Sequence, residues 1–110
     1  MTNPITVLAP IKLAVGKTEA DLLAASDRFQ KEFVDAEPGI IRRELIRTGD
    51  GKYLDIVQFR SMEDAEAIIE KEKESAVCHA FFAVMNMDEA DASGSIDFYP
   101  SLTTYNRINK

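Results

Sequence analysis

The segment from Pro38 to Phe82, PGIIRRELIRTGDGKYLDIVQFRSMEDAEAIIEKEKESAVCHAFF, constrains the fold more than any other part of the chain. Ile40 to Thr48 and Tyr53 to Arg60 read as two strands, and Gly49-Asp50-Gly51-Lys52 between them has the composition of a short hairpin turn. Ser61 with Asp64 three residues on is a near-match to a capping box, Asp standing for the usual Glu, so a helix is predicted to start at Met62. Ala65, Ile68 and Ile69 give its apolar face, and the charged run Glu70-Lys71-Glu72-Lys73-Glu74 reads as its solvated end. Ser75 restarts a helix with Val77, Ala80, Phe81, Val84 and Met85 on its apolar face, and this turn carries the only histidine, His79.

The flanks complete an alternating order. Ile5 to Ala14 is a strand with Ile5, Val7, Ala9, Ile11 and Leu13 on one face; Pro10 offers no backbone donor and predicts an edge or a bulge there. After Gly16-Lys17, Thr18 is an N-cap followed by acidic Glu19 and Asp21, which complement the helix dipole. Leu22, Ala25/Ser26, Phe29, Phe33 and Ala36 recur at helical spacing until Pro38-Gly39 ends the helix. Asn86 to Ser95 reads as a mobile loop, and Ile96 to Ile108 as a last strand with Ile96, Phe98 and Leu102 opposite Tyr99 and Tyr105. The 110 residues therefore form one domain, 1–110, of the α+β class: a ferredoxin-like β-α-β-β-α-β chain with a four-stranded antiparallel sheet and helices on one face.

These strands are apolar on both sides. Tyr53, Val57 and Phe59 alternate with Leu54 and Ile56, and two helices cannot cover both faces of a sheet. An uncovered apolar face marks an interaction surface, and a second copy packed sheet against sheet is the simplest cover, so a homodimer is expected. The formal net charge of -6 argues against a nucleic-acid partner and against adsorption to an anionic membrane. One cysteine, Cys78, excludes an intrachain disulfide and fits a reducing compartment. The N-terminus lacks the pattern of a signal peptide, and no apolar stretch approaches the ~18 residues of a membrane span, so a cytoplasmic protein is the default.

Few residues point to chemistry. His79 is the one side chain that ordinarily titrates near neutrality, and it lies at the edge of its helix's apolar stripe; it suits a general base in a half-buried pocket, or a hydrogen-bonded residue on a helix flank. Tyr53, Tyr99 and Tyr105 suit orientation of a phenolic ligand, or packing. Arg42, Arg43 and Arg47 share the second strand, with Arg43 and Arg47 on the face of Ile41 and Leu45; they suit a carboxylate ligand, or pairing with Glu44 or Asp55 at the sheet surface or across a dimer. Among Phe29, Phe33, Phe59, Phe81, Phe82 and Met85, most must be core, and Phe59 and Phe82 are placed near a cavity. Cys78 reads as an apolar filler, and Asp88, Glu89 and Asp91 lack metal-loop spacing. No glycine-rich phosphate loop, paired metal-ligand motif or nucleophile elbow occurs, so no nucleotide or metal cofactor is implied.

The order and spacing of Pro38-Gly39-Ile40, the charged hairpin, Phe59-Arg60, Ser61 to Ala65 and the Ser-x-x-x-His-x-x-Phe of Ser75 to Phe82 resemble the antibiotic biosynthesis monooxygenase-like domains of the dimeric α/β-barrel superfamily. The resemblance covers nearly the whole chain and rests on no single motif. It implies a ferredoxin-like subunit, a homodimer through its sheets, and a pocket between sheet and helices. Characterised members include cofactor-independent oxygenases acting on quinols and polycyclic aromatic polyketides, and haem-degrading monooxygenases. The haem-degrading branch uses an asparagine on the first strand, a tryptophan after the third strand and a haem-ligating histidine. His79 falls where that histidine would, but the chain has no tryptophan, Ile69 lying close to its place, and Ile5 to Ala14 holds no asparagine. The resemblance thus implies a cofactor-independent monooxygenase for a small aromatic or quinol-type substrate, with His79 catalytic and Phe59, Phe82 and Tyr105 binding substrate. The alternative is a non-catalytic small-ligand-binding or stress-related dimer.

Overall fold

The computed structural model describes residues 3–85 and 96–105. The expected loop from Asn86 to Ser95, with Asp88, Glu89 and Asp91, lies outside the described residues, as does the end of the expected last strand beyond residue 105. Among the described residues the elements are β1 (Ile5–Lys12), α1 (Glu19–Glu32), β2 (Ile40–Gly49), β3 (Lys52–Phe59), α2 (Met62–Glu72), α3 (Ala76–Phe82) and β4 (Asp97–Pro100), with a 3-10 turn at Val34–Ala36. The strands form one antiparallel sheet in the order β2-β3-β1-β4. This is the ferredoxin-like α+β architecture.

Local chemistry explains most boundaries. Thr18 caps α1 by a full capping box: its Oγ1 accepts from the Asp21 backbone N–H, and its own N–H donates to Asp21 Oδ2. Ser61 caps α2 by accepting from the Asp64 N–H, and Ser75 caps α3 by accepting from the Cys78 N–H. The hairpin turns at Asp50-Gly51, where Gly51 has φ of 69°, a left-handed value that a glycine adopts without a Cβ clash. Pro10 lies past the reach of β4, which pairs only with Ile5 to Leu8 of β1, so its missing donor falls where the sheet has an edge.

Three expectations on the elements are corrected. Helix α1 stops at Glu32, and the 3-10 turn then buries Val34 in place of Ala36, which is exposed; the tighter turn rotates the side chains out of the helical phase. Residues 101–105 are not strand, and Leu102 and Tyr105 are each 88% exposed, since no neighbouring strand extends to pair with them. Ile41 is exposed as well, because a register shift between Ile40 and Arg42 leaves it at a bulge while Ile40 packs on the core.

The helices bury one face of the sheet. Ile5, Val7, Ile11, Tyr53 and Phe59 from the strands meet Leu22, Phe29, Ala65, Ile68, Cys78 and Phe81 from the helices in one apolar core. The opposite face carries Leu8, Ile46, Leu54 and Ile56, all half-buried. Gly39, just before β2, packs closely against α2: a Cβ there would stand 2.9 Å from Asp64 Cβ and 3.0 Å from Ile68 Cδ1.

Candidate functional site

Between the sheet and the helices lies a cavity of about 330 Å³. Its apolar wall comes from Phe29 of α1, Val57 and Phe59 of β3, Phe81 and Phe82 of α3, and Met85. Phe29 stacks on Phe81 with ring centroids 4.6 Å apart, and on Phe33 at 5.5 Å, which fixes the ring planes along that wall. Past the end of β4, residues Ala9 to Lys12 of β1 also line the cavity, along with Ile96.

The wall is not wholly apolar, because Arg43, Asp55 and Glu72 line it too. Arg43 faces the core because β2 and β3 are in register there: Arg43 pairs with Val57, and Leu45 with Asp55. Its Nε donates to both carboxylate oxygens of Asp55 at 3.1 Å. Nη1 donates to Gln30 Oε1 at 3.2 Å, and Nη2 to Ser26 Oγ at 2.5 Å, so α1 supplies the remaining partners. The guanidinium also lies 4.9 Å from the Phe29 ring centroid and 5.3 Å from that of Phe81, a cation–π arrangement. Burial raises the Asp55 carboxyl above its ordinary value, against the pull of the Arg43 charge and hydrogen bonds.

Glu72, the last residue of α2, stands differently. Its carboxyl makes no hydrogen bond or ion pair among the described residues, and burial, aided by the nearby Asp55 charge, pushes it up to about 7 against the attraction of Arg43. The phase of α2 places it there: Glu72 follows Ile68 by four residues and Ile69 by three, so it continues the buried stripe. The charged run read as a solvated helix end therefore has one member turned inward. That same phase was the available signal, hidden by the four charged neighbours.

The other candidate residues divide between the cavity and the surface. Phe59 and Phe82 line the cavity. His79 does not: it is exposed, and its Nε2 lies 2.7 Å from the Lys73 carbonyl oxygen, so Nε2 carries the hydrogen and donates it. Cys78 and Phe81 face the core, and His79, one residue from Cys78, is turned by about 100° away from it. Tyr105 is exposed and off the cavity, as is Tyr99, while Tyr53 donates to Glu19 Oε1 at 3.0 Å in the network that Arg47 completes with two 2.7 Å bonds. Arg42 pairs with Glu44 on the exposed face, but the Arg43–Asp55 pair expected at the sheet surface is buried. Cys78 is fully buried, and burial raises its thiol, in keeping with an apolar filler. Among the described residues no group of three His, Cys, Asp or Glu side chains is placed to hold a metal ion, and no helix is long and apolar enough to cross a membrane.

No family model matches the sequence, and no curated relative is detected. Solved structures share the fold over almost the whole chain. A protein of Caulobacter crescentus assigned as an antibiotic biosynthesis monooxygenase matches with a TM-score of 0.70 at 20% identity, covering 93% of this chain and 92% of that one. SnoaB of Streptomyces nogalater, a cofactor-independent oxygenase, matches with a TM-score of 0.71 at 14% identity, covering 96% of this chain and 100% of its own. A second protein assigned as an antibiotic biosynthesis monooxygenase, from Nitrosomonas europaea, gives 0.64 at 20% identity over 93% of each chain. The domain is thus monooxygenase-like in fold.

Proposed function

We propose that this chain uses dioxygen to oxidise a small hydroxyl-bearing aromatic compound of the quinol type, without a bound cofactor. The observation that carries this reading is the cavity: an aromatic-walled space with four ionisable side chains on its lining, Lys12, Arg43, Asp55 and Glu72, in a fold shared with a cofactor-independent oxygenase. The reaction needs no external reductant. A hydroquinone and one dioxygen give a hydroxyquinone and one water, the substrate supplying the electrons and dioxygen one atom to each product. The role of the apolar wall is to hold the ring and keep water from the oxygen-reactive anion, while the polar lining orients the hydroxyl. His79 lies outside this arrangement.

A second reading, binding without turnover, is favoured by that same placement of His79, since the one imidazole of the chain is spent on a backbone carbonyl. In either case a second copy is proposed to cover Leu8, Ile46, Leu54 and Ile56 on the open sheet face, giving a homodimer.

Oxygen consumption with a panel of hydroquinones tests the reading, using the native protein and Val57→Phe, which fills the cavity from β3. Turnover by the native protein that Val57→Phe abolishes is the expected result. Binding of the panel without oxygen uptake supports the second reading, and neither binding nor uptake overturns both.

A further inference from the structure

We infer that Glu72 is the group that accepts the hydroxyl proton of the bound ligand, and that the cavity is therefore selective for aromatic compounds carrying a free hydroxyl. This rests on the cavity being an aromatic-ligand site. Two of the charged groups on the lining, Arg43 and Asp55, are already committed to each other. Arg43 gives Nε to Asp55 and a hydrogen from each Nη to Gln30 and Ser26. Asp55 receives Arg43 in return and is buried with it, at 6% and 8% side-chain exposure. Those two charges neutralise one another inside the domain. Glu72 lines the same cavity, and among the described residues its carboxyl has neither a hydrogen bond nor an ion pair. A half-buried carboxylate without a partner is costly, and a ligand hydroxyl supplies the missing donor.

The groups facing Glu72 set when it can act. From β3 the Asp55 charge disfavours ionisation and from β2 the Arg43 charge favours it, with burial the largest influence. Burial, and to a smaller extent the Glu72 charge, raise the Cys78 thiol of α3, so it stays a neutral neighbour, and Lys12 of β1 is the further charged residue on the lining. The balance leaves Glu72 changing charge near neutrality, where a base is most useful. The step is a single proton transfer. The ligand O–H bond breaks, its electron pair stays on the ligand oxygen, and the proton forms a new O–H bond on the Glu72 carboxylate. An aryl oxide and a carboxylic acid result, with no oxidant consumed.

The test uses naphthol and its methyl ether, which share a ring shape and differ by the donor. Affinities are measured for the native protein and Glu72→Gln at about pH 5 and about pH 8, on either side of the Glu72 titration. In the native protein near pH 8, naphthol is expected to bind roughly tenfold or more tightly than the ether, as a hydrogen bond to a charged acceptor is worth about 1.5–3 kcal/mol. Near pH 5 the preference falls to a few-fold, and in Glu72→Gln it stays at that lower value at both pH values. The pH comparison needs only the native protein, so a Glu72→Gln variant that failed to fold would leave it standing. A native preference that ignores pH, or one that Glu72→Gln retains in full, overturns the role of Glu72 while the cavity remains a ligand site. Binding of neither compound overturns the cavity reading as well.

Discussion

Arg43 and Asp55 meet inside the domain, twelve positions apart on adjacent strands, with the guanidinium Nε 3.1 Å from each carboxylate oxygen. Each side chain is over nine-tenths buried. Two opposite charges removed from water are held there by additional partners, Gln30 and Ser26 for the arginine, so the pair ties α1 to β2 and β3.

Breaking this pair from one side strands the other charge. Arg43→Met or Asp55→Leu is expected to destabilise the domain by about 3–5 kcal/mol. The double variant Arg43→Met/Asp55→Leu should recover most of that loss, since no charge is then left buried. Urea denaturation of the three variants checks this, and strictly additive losses would show that the pair is not coupled.

Glu72→Gln is expected to stabilise the protein, and only above a certain pH. The folded state holds the Glu72 proton up to about 7, whereas an unfolded glutamate releases it near 4.5. Between these values the folded state binds more protons, so native stability falls as pH rises through the window. Glutamine carries no such dependence. The variant should match the native protein below about pH 4.5 and exceed it by ~1–2 kcal/mol above about pH 7, a figure reduced from the full shift because Glu72 is only half-buried. Glu19 acts with the opposite sign. The hydrogen bonds from Arg47 and then Tyr53 lower its carboxyl to about 2, so its contribution is lost as pH falls from 4.5 to 2. It is present in both proteins and cancels in the difference. A difference curve flat from pH 4 to pH 8 (the span set by ordinary and raised carboxyl values) would mean that Glu72 titrates normally.

Gly39→Ala should cost about 1–3 kcal/mol. The added methyl meets Asp64 Cβ at 2.9 Å, Asp64 Cγ at 3.0 Å and Ile68 Cδ1 at 3.0 Å, so α2 must shift away from the sheet. Moving α2 also moves Glu72 at its far end, and ligand affinity should fall with stability. A melting temperature equal to the native one would show that α2 yields freely.

His79→Ala should leave ligand binding and oxygen consumption within about twofold of the native protein. It removes the bond to the Lys73 carbonyl, a surface hydrogen bond worth about 1 kcal/mol or less. Steady-state rates with the same hydroquinone panel check this, and a large loss of turnover at unchanged stability would return His79 to the chemistry.

The Ser61 and Thr18 caps and the Gly51 turn were legible because each acts within a few residues of itself. Strand alternation likewise grouped Phe59 with Tyr53 and Val57 on one face, and helix periodicity placed Phe81 on the apolar face of its helix; both phenylalanines are buried. These local preferences, in their order along the chain, determined a ferredoxin-like domain. They did not determine which ionisable groups would share the cavity. Arg43, Asp55 and Glu72 come from three elements, and each looked ordinary where it stood: one arginine among three on a strand, an acid in an apolar strand, one glutamate in a charged run. Only the β2–β3 register and the packing of α2 brought them to one wall, because burial and charge act through space rather than along the chain. The same packing turned His79 outward, so the tertiary structure moved the candidate chemistry from the conspicuous imidazole to a carboxyl that the sequence had hidden among its neighbours.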